Sequence, residues 1–269
     1  MKEKKELLVI IPANNEEQNI PGVIKQLKEQ KIEEIAELLV IDDASFDGTV
    51  QAAENEGCSL IKNIFWLGYG NSLRLGYQYA VRGGYRYVIQ MDADGQHDAC
   101  NVPVIYRKLK QKDVDGECPD IVLASRFMDG SSEFPISLPR KVAYAWFRFI
   151  IYIATGRRIA DPTTGLQGLS RKAFSYYSEY QHFDDQYPDA NMVIQMLLLK
   201  FRVAEIPAVM HMRTGGQSMH GGLRAFWYMC RMFFEIPAII FRVKGLKIDE
   251  GAGLKDADMV WKEDEISKG

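Results

Sequence analysis

The chain has 269 residues, 47% of them hydrophobic and 26% charged, long enough to bury one large core and too apolar to be disordered. Its formal net charge of −3 excludes a broad electrostatic attraction to nucleic acid, so a partner has to be read from local sites. Four cysteines (Cys58, Cys100, Cys118 and Cys230) lack C-x-x-C spacing and argue for neither a zinc site nor a disulfide framework, which fits a reducing cytoplasm.

The charged N-terminus runs into Leu7 to Ile11, too short for a signal-peptide core and read as a buried strand ending at Pro12. A helical pattern follows over Ile20 to Gln30, then a strand over Leu38 to Ile41 that stops at Asp42-Asp43. Further along come a helix at Thr49 to Asn55, a strand at Ser59 to Asn63, a helix at Asn71 to Arg82 and a strand at Tyr87 to Met91. A helix at Val102 to Lys112 and a strand at Asp120 to Ala124 continue the alternation. Strand and helix in turn predict an α/β fold with a doubly wound, mostly parallel sheet, whose ligands sit at the carboxyl ends of the strands. Tyr69-Gly70-Asn71 lacks the spacing of a phosphate-binding fingerprint, and no role is read from it.

Two later segments are amphipathic. Between Arg140 and Arg158, Val142, Ala145, Trp146, Phe149, Ile150 and Ile153 fall on one side, with Tyr144, Arg148 and Tyr152 on the other. From Leu223 onward the apolar set is Leu223, Phe226, Trp227, Cys230, Phe233, Phe234, Pro237, Ile240 and Phe241, opposite Arg224, Tyr228, Arg231, Glu235 and Arg242. Such faces suit an anionic lipid interface, packing on the body of the protein, or a homodimer, and the pattern leaves the three open. No run reaches the roughly 20 uninterrupted apolar residues of a membrane span. From about Asp249 the composition is that of a frayed tail.

The chemistry concentrates after the Tyr87 to Met91 strand. If the chain stays extended, Asp92 and Asp94 point to one side and Gln96 continues the alternation, an oxygen-only set suited to Mg²⁺ or Mn²⁺. Alone, Asp-x-Asp-Gly is equally a turn capped by its own side chains. The acid pair Asp42-Asp43 at another strand end is harder to explain as turn chemistry, although Asp47 or Thr49 can cap the next helix. His97 is read as a supporting residue. Arg126, directly after a strand, can grip a phosphate with two parallel hydrogen bonds. Arg213, beside the Gly215-Gly216 pair, suits a loop closing over a diphosphate. Asp184, Asp185 and Asp189 are the candidate bases should the acceptor be a hydroxyl, and otherwise read as solvated loop acids ahead of a helix near Ala190 to Leu199.

The stretches Ile11 to Glu17 (IPANNEE), Ile41 to Thr49 (IDDASFDGT) and Met91 to Asp98 (MDADGQHD), in that order, resemble the motifs of family-2 glycosyltransferases with the GT-A fold. Ala124 to Phe127, Asp161 to Arg171 and Glu205 to Ser218 extend the resemblance to about residue 220, nearest the polyprenyl-phosphate, dolichol-phosphate-mannose-synthase-like branch.

The resemblance implies a GT-A catalytic domain over residues 1–220, its nucleotide and metal half at 1–125 and its acceptor half at 126–220. An amphipathic interfacial region at 221–248 and a tail at 249–269 would follow. It implies that Pro12, Asn14, Glu16 and Asp43 line the nucleoside pocket, with Asp92 near the ribose or metal and Asp94 and Gln96 on the metal. Arg126 and Arg213 would face phosphates, and Asp161, Thr164, Gly165, Gln217 and Ser218 would lie on the acceptor side. Asn14 departs from the pattern, because many relatives carry an aromatic residue there.

The implied reaction moves a hexose-type sugar, with inversion, from a UDP- or GDP-linked donor to a lipid phosphate. The enzyme would be cytoplasmic and peripheral on the membrane, with a divalent cation as cofactor. A saccharide hydroxyl is the alternative acceptor. A non-catalytic sugar-nucleotide-binding or scaffold subunit is the alternative of another class, against which the complete Asp-Asp-Gln set argues. No G-x-G-x-x-G follows the first strand, which weighs against a dehydrogenase.

Overall fold

The computed structural model describes residues 5–132, 138–212, 223–249 and 252. The first half alternates as its sequence predicts: β1 (Leu7–Ala13), α1 (Ile20–Glu29), a short α2 (Ile32–Ile35), β2 (Ala36–Asp42), α3 (Thr49–Asn55) and β3 (Ser59–Lys62). Then come α4 (Tyr69–Gly83), β4 (Tyr87–Gln90), α5 (Asn101–Lys110) and β5 (Ile121–Ser125). The second half holds α6 (Leu138–Thr155), β6 (Gln167–Ser170), α7 (Arg171–Ser178), α8 (Ala190–Leu198), β7 (Val203–Pro207) and α9 (Leu223–Ile240), which runs into a π-helical turn at Phe241–Gly245.

Seven strands form one sheet in the order β3-β2-β1-β4-β6-β5-β7. All neighbours are parallel except β6, which runs antiparallel to β4 and β5. The chain winds outward in one direction from β1 through β2 to β3 and resumes on the other side at β4, so the switch point lies between β1 and β4. Pro12 fits there: the carbonyl of Ile10, on the same side of the strand, takes the N–H of Met91, the last such bond before β1 outruns β4. Having no N–H, Pro12 cannot extend the β1–β4 ladder past that bond.

Each sheet face carries its own core. Leu7, Val9 and Ile11 pack with α1 and α5, whereas Leu8 and Ile10 pack with α4, α6, α7 and α8. Both faces are covered, which explains why the strands read as continuous apolar runs. Met232, Ile236 and Val243 belong to the second of these cores, so the C-terminal helix is built into the domain.

The periodicity leaves open which way the apolar faces of the two amphipathic helices turn, and among the described residues they turn outward. In α6, Phe147, Ile151 and Ala154 are buried, while Val142, Phe149 and Ile153, expected to act as one apolar face, are exposed. Tyr144 and Arg148 turn inward, the guanidinium of Arg148 lying 4.7 Å from the Phe127 ring. In α9 the charged side also faces the protein. Arg231 Nη2 lies 2.8 Å from Asp184 Oδ2 and its Nε pairs with Glu235, while Phe233, Phe234 and Phe241 are exposed. Asp184 is therefore no solvated loop acid: its other oxygen accepts the Gln186 and Tyr187 N–H groups at 2.8 and 2.7 Å.

Candidate functional site

The loops after β1 and β2 are zipped together. Asn14 Nδ2 donates to Asp43 O (2.7 Å), Asn15 N to Ser45 Oγ (2.9 Å) and Phe46 N to Asn15 Oδ1 (2.9 Å). Glu16 N donates to Thr49 Oγ1 (2.8 Å), and Gly48 N to Glu17 Oε2 (2.6 Å). The N-cap of α3 is Gly48, neither Asp47 nor Thr49, and Asp47 Oδ1 accepts Thr49 N at 3.0 Å from the position before it. Asn15 and Ala44 both sit at positive φ, 57° and 56°, so each loop leaves its strand through a left-handed residue.

Asp43, expected to line the nucleoside pocket, spends its carboxylate on the next loop. Its Oδ1 accepts Asn63 Nδ2 (3.0 Å) and Leu67 N (2.8 Å), and its Oδ2 accepts Gly68 N (2.8 Å). It staples the β3–α4 loop to the end of β2. Asp42 is wholly buried, and its Oδ1 has no hydrogen-bond partner among the described residues. Glu16, also expected at the pocket, accepts Asn19 Nδ2 at 2.6 Å and so organises the start of α1.

The Asp92-Ala93-Asp94 segment does not continue as a strand. Ala93-Asp94-Gly95 is a turn with Gly95 at φ 76°, and Asp94 Oδ1 accepts the N–H of Gln96 at 3.0 Å. The extended alternation predicted for Asp92, Asp94 and Gln96 is thus replaced by a side-chain-capped turn, because a glycine at positive φ redirects the chain. Asp92 is gripped from both sides: Tyr69 OH donates to its Oδ1 at 2.7 Å, and His97 Nε2 lies 3.2 Å from its Oδ2. Desolvation opposes ionisation of Asp92, but the hydrogen bond and charge of His97 and the hydroxyl of Tyr69 outweigh it and hold the carboxyl below its ordinary pKa. Burial, followed by the charge of Asp92, pushes the Tyr69 hydroxyl well above the usual range, so it stays a donor.

The Asp161–Gly165 loop forms the opposite wall. Arg126 is not the open phosphate clamp that its position after β5 suggests. Its Nε and Nη2 lie 2.7 Å from the two oxygens of wholly buried Asp161, and Nη2 also donates to Thr163 Oγ1 at 2.7 Å. Glu205 on β7 accepts the N–H groups of Ala160 and Asp161, both at 2.9 Å, and Thr164 Oγ1 donates to Ala124 O at 2.7 Å. Asp161 and Thr164 thus hold the loop from within. Gly165 meets the triplet directly: a Cβ there would stand 2.3 Å from Asp92 Oδ2.

On its far side the turn is stitched to the segment after β7. His97 pairs with Met210 in a β-bridge and His211 N donates to Gln96 O at 2.7 Å. His211 Nε2 lies 2.6 Å from Asp98 Oδ2. Arg213, Gln217 and Ser218 lie outside the described residues. Sequence reasoning gave Tyr69 no role and underused His97; His97 stands inside the Met91 to Asp98 motif, whereas Tyr69 is 23 residues from Asp92 and carries no sequence signal.

Among the described residues no three His, Cys, Asp or Glu side chains gather into a cation cage. What the turn holds is the Asp94 carboxylate, half-buried and two residues from Gln96, whose N–H it accepts.

Three similarities bear on this architecture. A chain of unestablished role from Methanocaldococcus jannaschii is 32% identical over 170 residues, covering 63% of this chain and 67% of that one. The undecaprenyl-phosphate mannosyltransferase of Micrococcus luteus is 26% identical over 227 residues, covering 81% of this chain and 88% of its own length. Glucosyl-3-phosphoglycerate synthase of Mycobacterium tuberculosis, solved with Mn²⁺ and UDP-glucose, superposes with a TM-score of 0.62 at 18% identity, covering 88% of this chain and 79% of that one. At that identity it speaks for the GT-A fold. The sequence profile of glycosyl transferase family 2 matches residues 8–177, from the first residues of β1 to the end of α7 and across every element of the pocket except β7, and the chain belongs to that family.

Proposed function

We propose that this glycosyltransferase moves a hexose-type sugar, with inversion, from a nucleoside diphosphate sugar to a polyprenyl phosphate, as a peripheral protein on the cytoplasmic face of a membrane. The observation that carries the reading is the outward apolar surface of α6 and α9. Val142, Phe149, Tyr152, Ile153, Phe233, Phe234 and Phe241 are exposed, Trp146 stacks on Phe233 at 5.7 Å, and Lys141, Arg157, Arg158 and Lys247 are exposed on the same elements and their flanks. Apolar side chains rimmed by cations suit an anionic lipid interface. Among the described residues no helix is long and apolar enough to cross a membrane. The similarity to a relative named for undecaprenyl phosphate extends over most of the chain.

The donor would sit at the switch point, its nucleoside against Pro12 and the zipped loops. Its pyrophosphate would share a Mg²⁺ or Mn²⁺ ion with Asp94 and Gln96, in keeping with a relative of the same fold solved with Mn²⁺ and UDP-glucose. When bound, the cation neutralises charge on the departing nucleoside diphosphate. Tyr69 and His97 keep Asp92 ionised and fixed beside it. Arg126, committed to Asp161, shapes the acceptor wall and lends Asp92 a favourable charge. Arg213, Gln217 and Ser218 complete the proposed site from the segment after Met212.

A phosphate acceptor arrives as an anion, whereas a saccharide hydroxyl needs a base. Asp184, one candidate base, is occupied by Arg231 and its own turn. Incubating the protein with radiolabelled UDP- and GDP-hexoses, Mn²⁺ and either polyprenyl phosphate or oligosaccharide tests the reading. Label in the lipid fraction is expected; label on the saccharide alone refutes it.

A further inference from the structure

The β3–α4 loop carries an unpartnered apolar run. Ile64, Phe65 and Trp66 are 95%, 67% and 66% exposed, and Phe46, in the loop stapled beside it, is 96% exposed. Four large apolar side chains in solvent on two neighbouring loops form a feature that a monomer does not keep for stability. Both loops sit at the carboxyl ends of adjacent parallel strands, where this sheet class binds nucleotides.

The backbone under Trp66 is fixed. The two amides that follow it, Leu67 N and Gly68 N, are held by the Asp43 carboxylate, and Asn63 ahead of it is held by the same group. Gly68, at φ 92°, takes a backbone conformation that favours glycine, and the Trp66 indole lies beside it, its Cζ2 3.9 Å from where a Cβ of residue 68 would stand. The β1 side offers no flat face, because Asn14 is short and its amide is taken by Asp43 O. A nucleobase lying across these strand ends therefore lacks a stacking platform from β1 and meets one from β3.

We infer that Trp66 is the base-stacking residue of the donor pocket, a contact with the aromatic face of the nucleobase held in place by the Asp43 staple. The inference rests on the proposed use of a nucleoside diphosphate sugar. Stacking on an aromatic ring tolerates any base, so Trp66 sets affinity, and discrimination between bases falls to polar groups elsewhere around the base.

The test is calorimetric titration of UDP, GDP and inorganic pyrophosphate, each with Mn²⁺, into the wild type, Trp66→Ala and Trp66→Phe. The better-bound nucleotide is expected to lose about tenfold or more in affinity with Trp66→Ala and to recover most of it with Trp66→Phe. Pyrophosphate, which has no base, should bind all three proteins alike. Equal nucleotide affinity in wild type and Trp66→Ala overturns the inference, as does an equal loss for pyrophosphate, which would mark a merely structural role. Trp66→Ala that keeps nucleotide affinity but loses binding to phosphatidylglycerol vesicles assigns the run to lipid and overturns it too. A wild type that binds neither nucleotide refutes the proposed donor class itself, a result distinct from the others.

Discussion

Asp92 shows how much of a site is made by residues that no motif contains. Its neighbours in sequence identify it, but Tyr69 and His97 orient it, and Gly165 closes on it from a loop that follows α6. Tyr69→Phe keeps the ring and removes the donor. We expect kcat to fall about tenfold, with a higher Mn²⁺ requirement and little change in melting temperature, read from initial rates across a metal titration. A parallel loss of stability would make Tyr69 a packing residue only. Asp161→Ala should behave in the opposite way. It strands the largely buried Arg126 guanidinium and should cost about 3–5 kcal/mol in urea unfolding. The acids and the arginine were legible as chemistry-bearing types. That Arg126 and Asp161 face each other was not, because their pairing depends on where β5 and the loop before β6 meet, 35 residues apart in sequence.

At the level of elements, hydrophobic periodicity located α6 and α9 and left open which of their faces meets the protein. A 3.6-residue pattern shows that a helix has two sides; it does not say which side meets protein when the domain supplies buried ion-pair partners such as Asp184. The same segment closes on a second charged cluster. His182 stacks on Tyr176 with ring centroids 4.2 Å apart, and its nitrogens lie 3.1 Å from Glu179 and 3.4 Å from Asp249, with Arg242 3.9 Å from the same Asp249 oxygen. Burial works against the cation, but Glu179 and then Asp249 prevail and raise the imidazole above its ordinary 6.5. A raised folded value means that the stabilisation is fully present below the unfolded pKa and is lost as pH rises through the folded one. His182→Gln should therefore lower the melting temperature most below about pH 6.5, the gap narrowing as the pH rises past the folded value. A gap that does not change with pH would show that the imidazolium contributes nothing.

Taken whole, the parallel half of the sheet was legible because its strands are apolar runs ending in acids or proline. The strand β6 was not: Gln167–Ser170 is four residues with one large apolar side chain, and its place between β4 and β5 is fixed by long-range pairing. Replacing Phe233, Phe234 and Phe241 together by serine removes exposed apolar surface while leaving Met232 and Ile236 in the core. Co-sedimentation with phosphatidylglycerol vesicles should drop severalfold at unchanged melting temperature. Undiminished sedimentation would place the lipid contact elsewhere. Because one unbroken sheet runs from β3 to β7, on the proposed reading the molecule would act as a fixed ruler between the outward apolar faces of α6 and α9 and the carboxylate turn. A lipid acceptor held at such a surface would have to bring its headgroup up to a set height, and the reach of the headgroup rather than the length of its tail would then decide which molecules the enzyme serves.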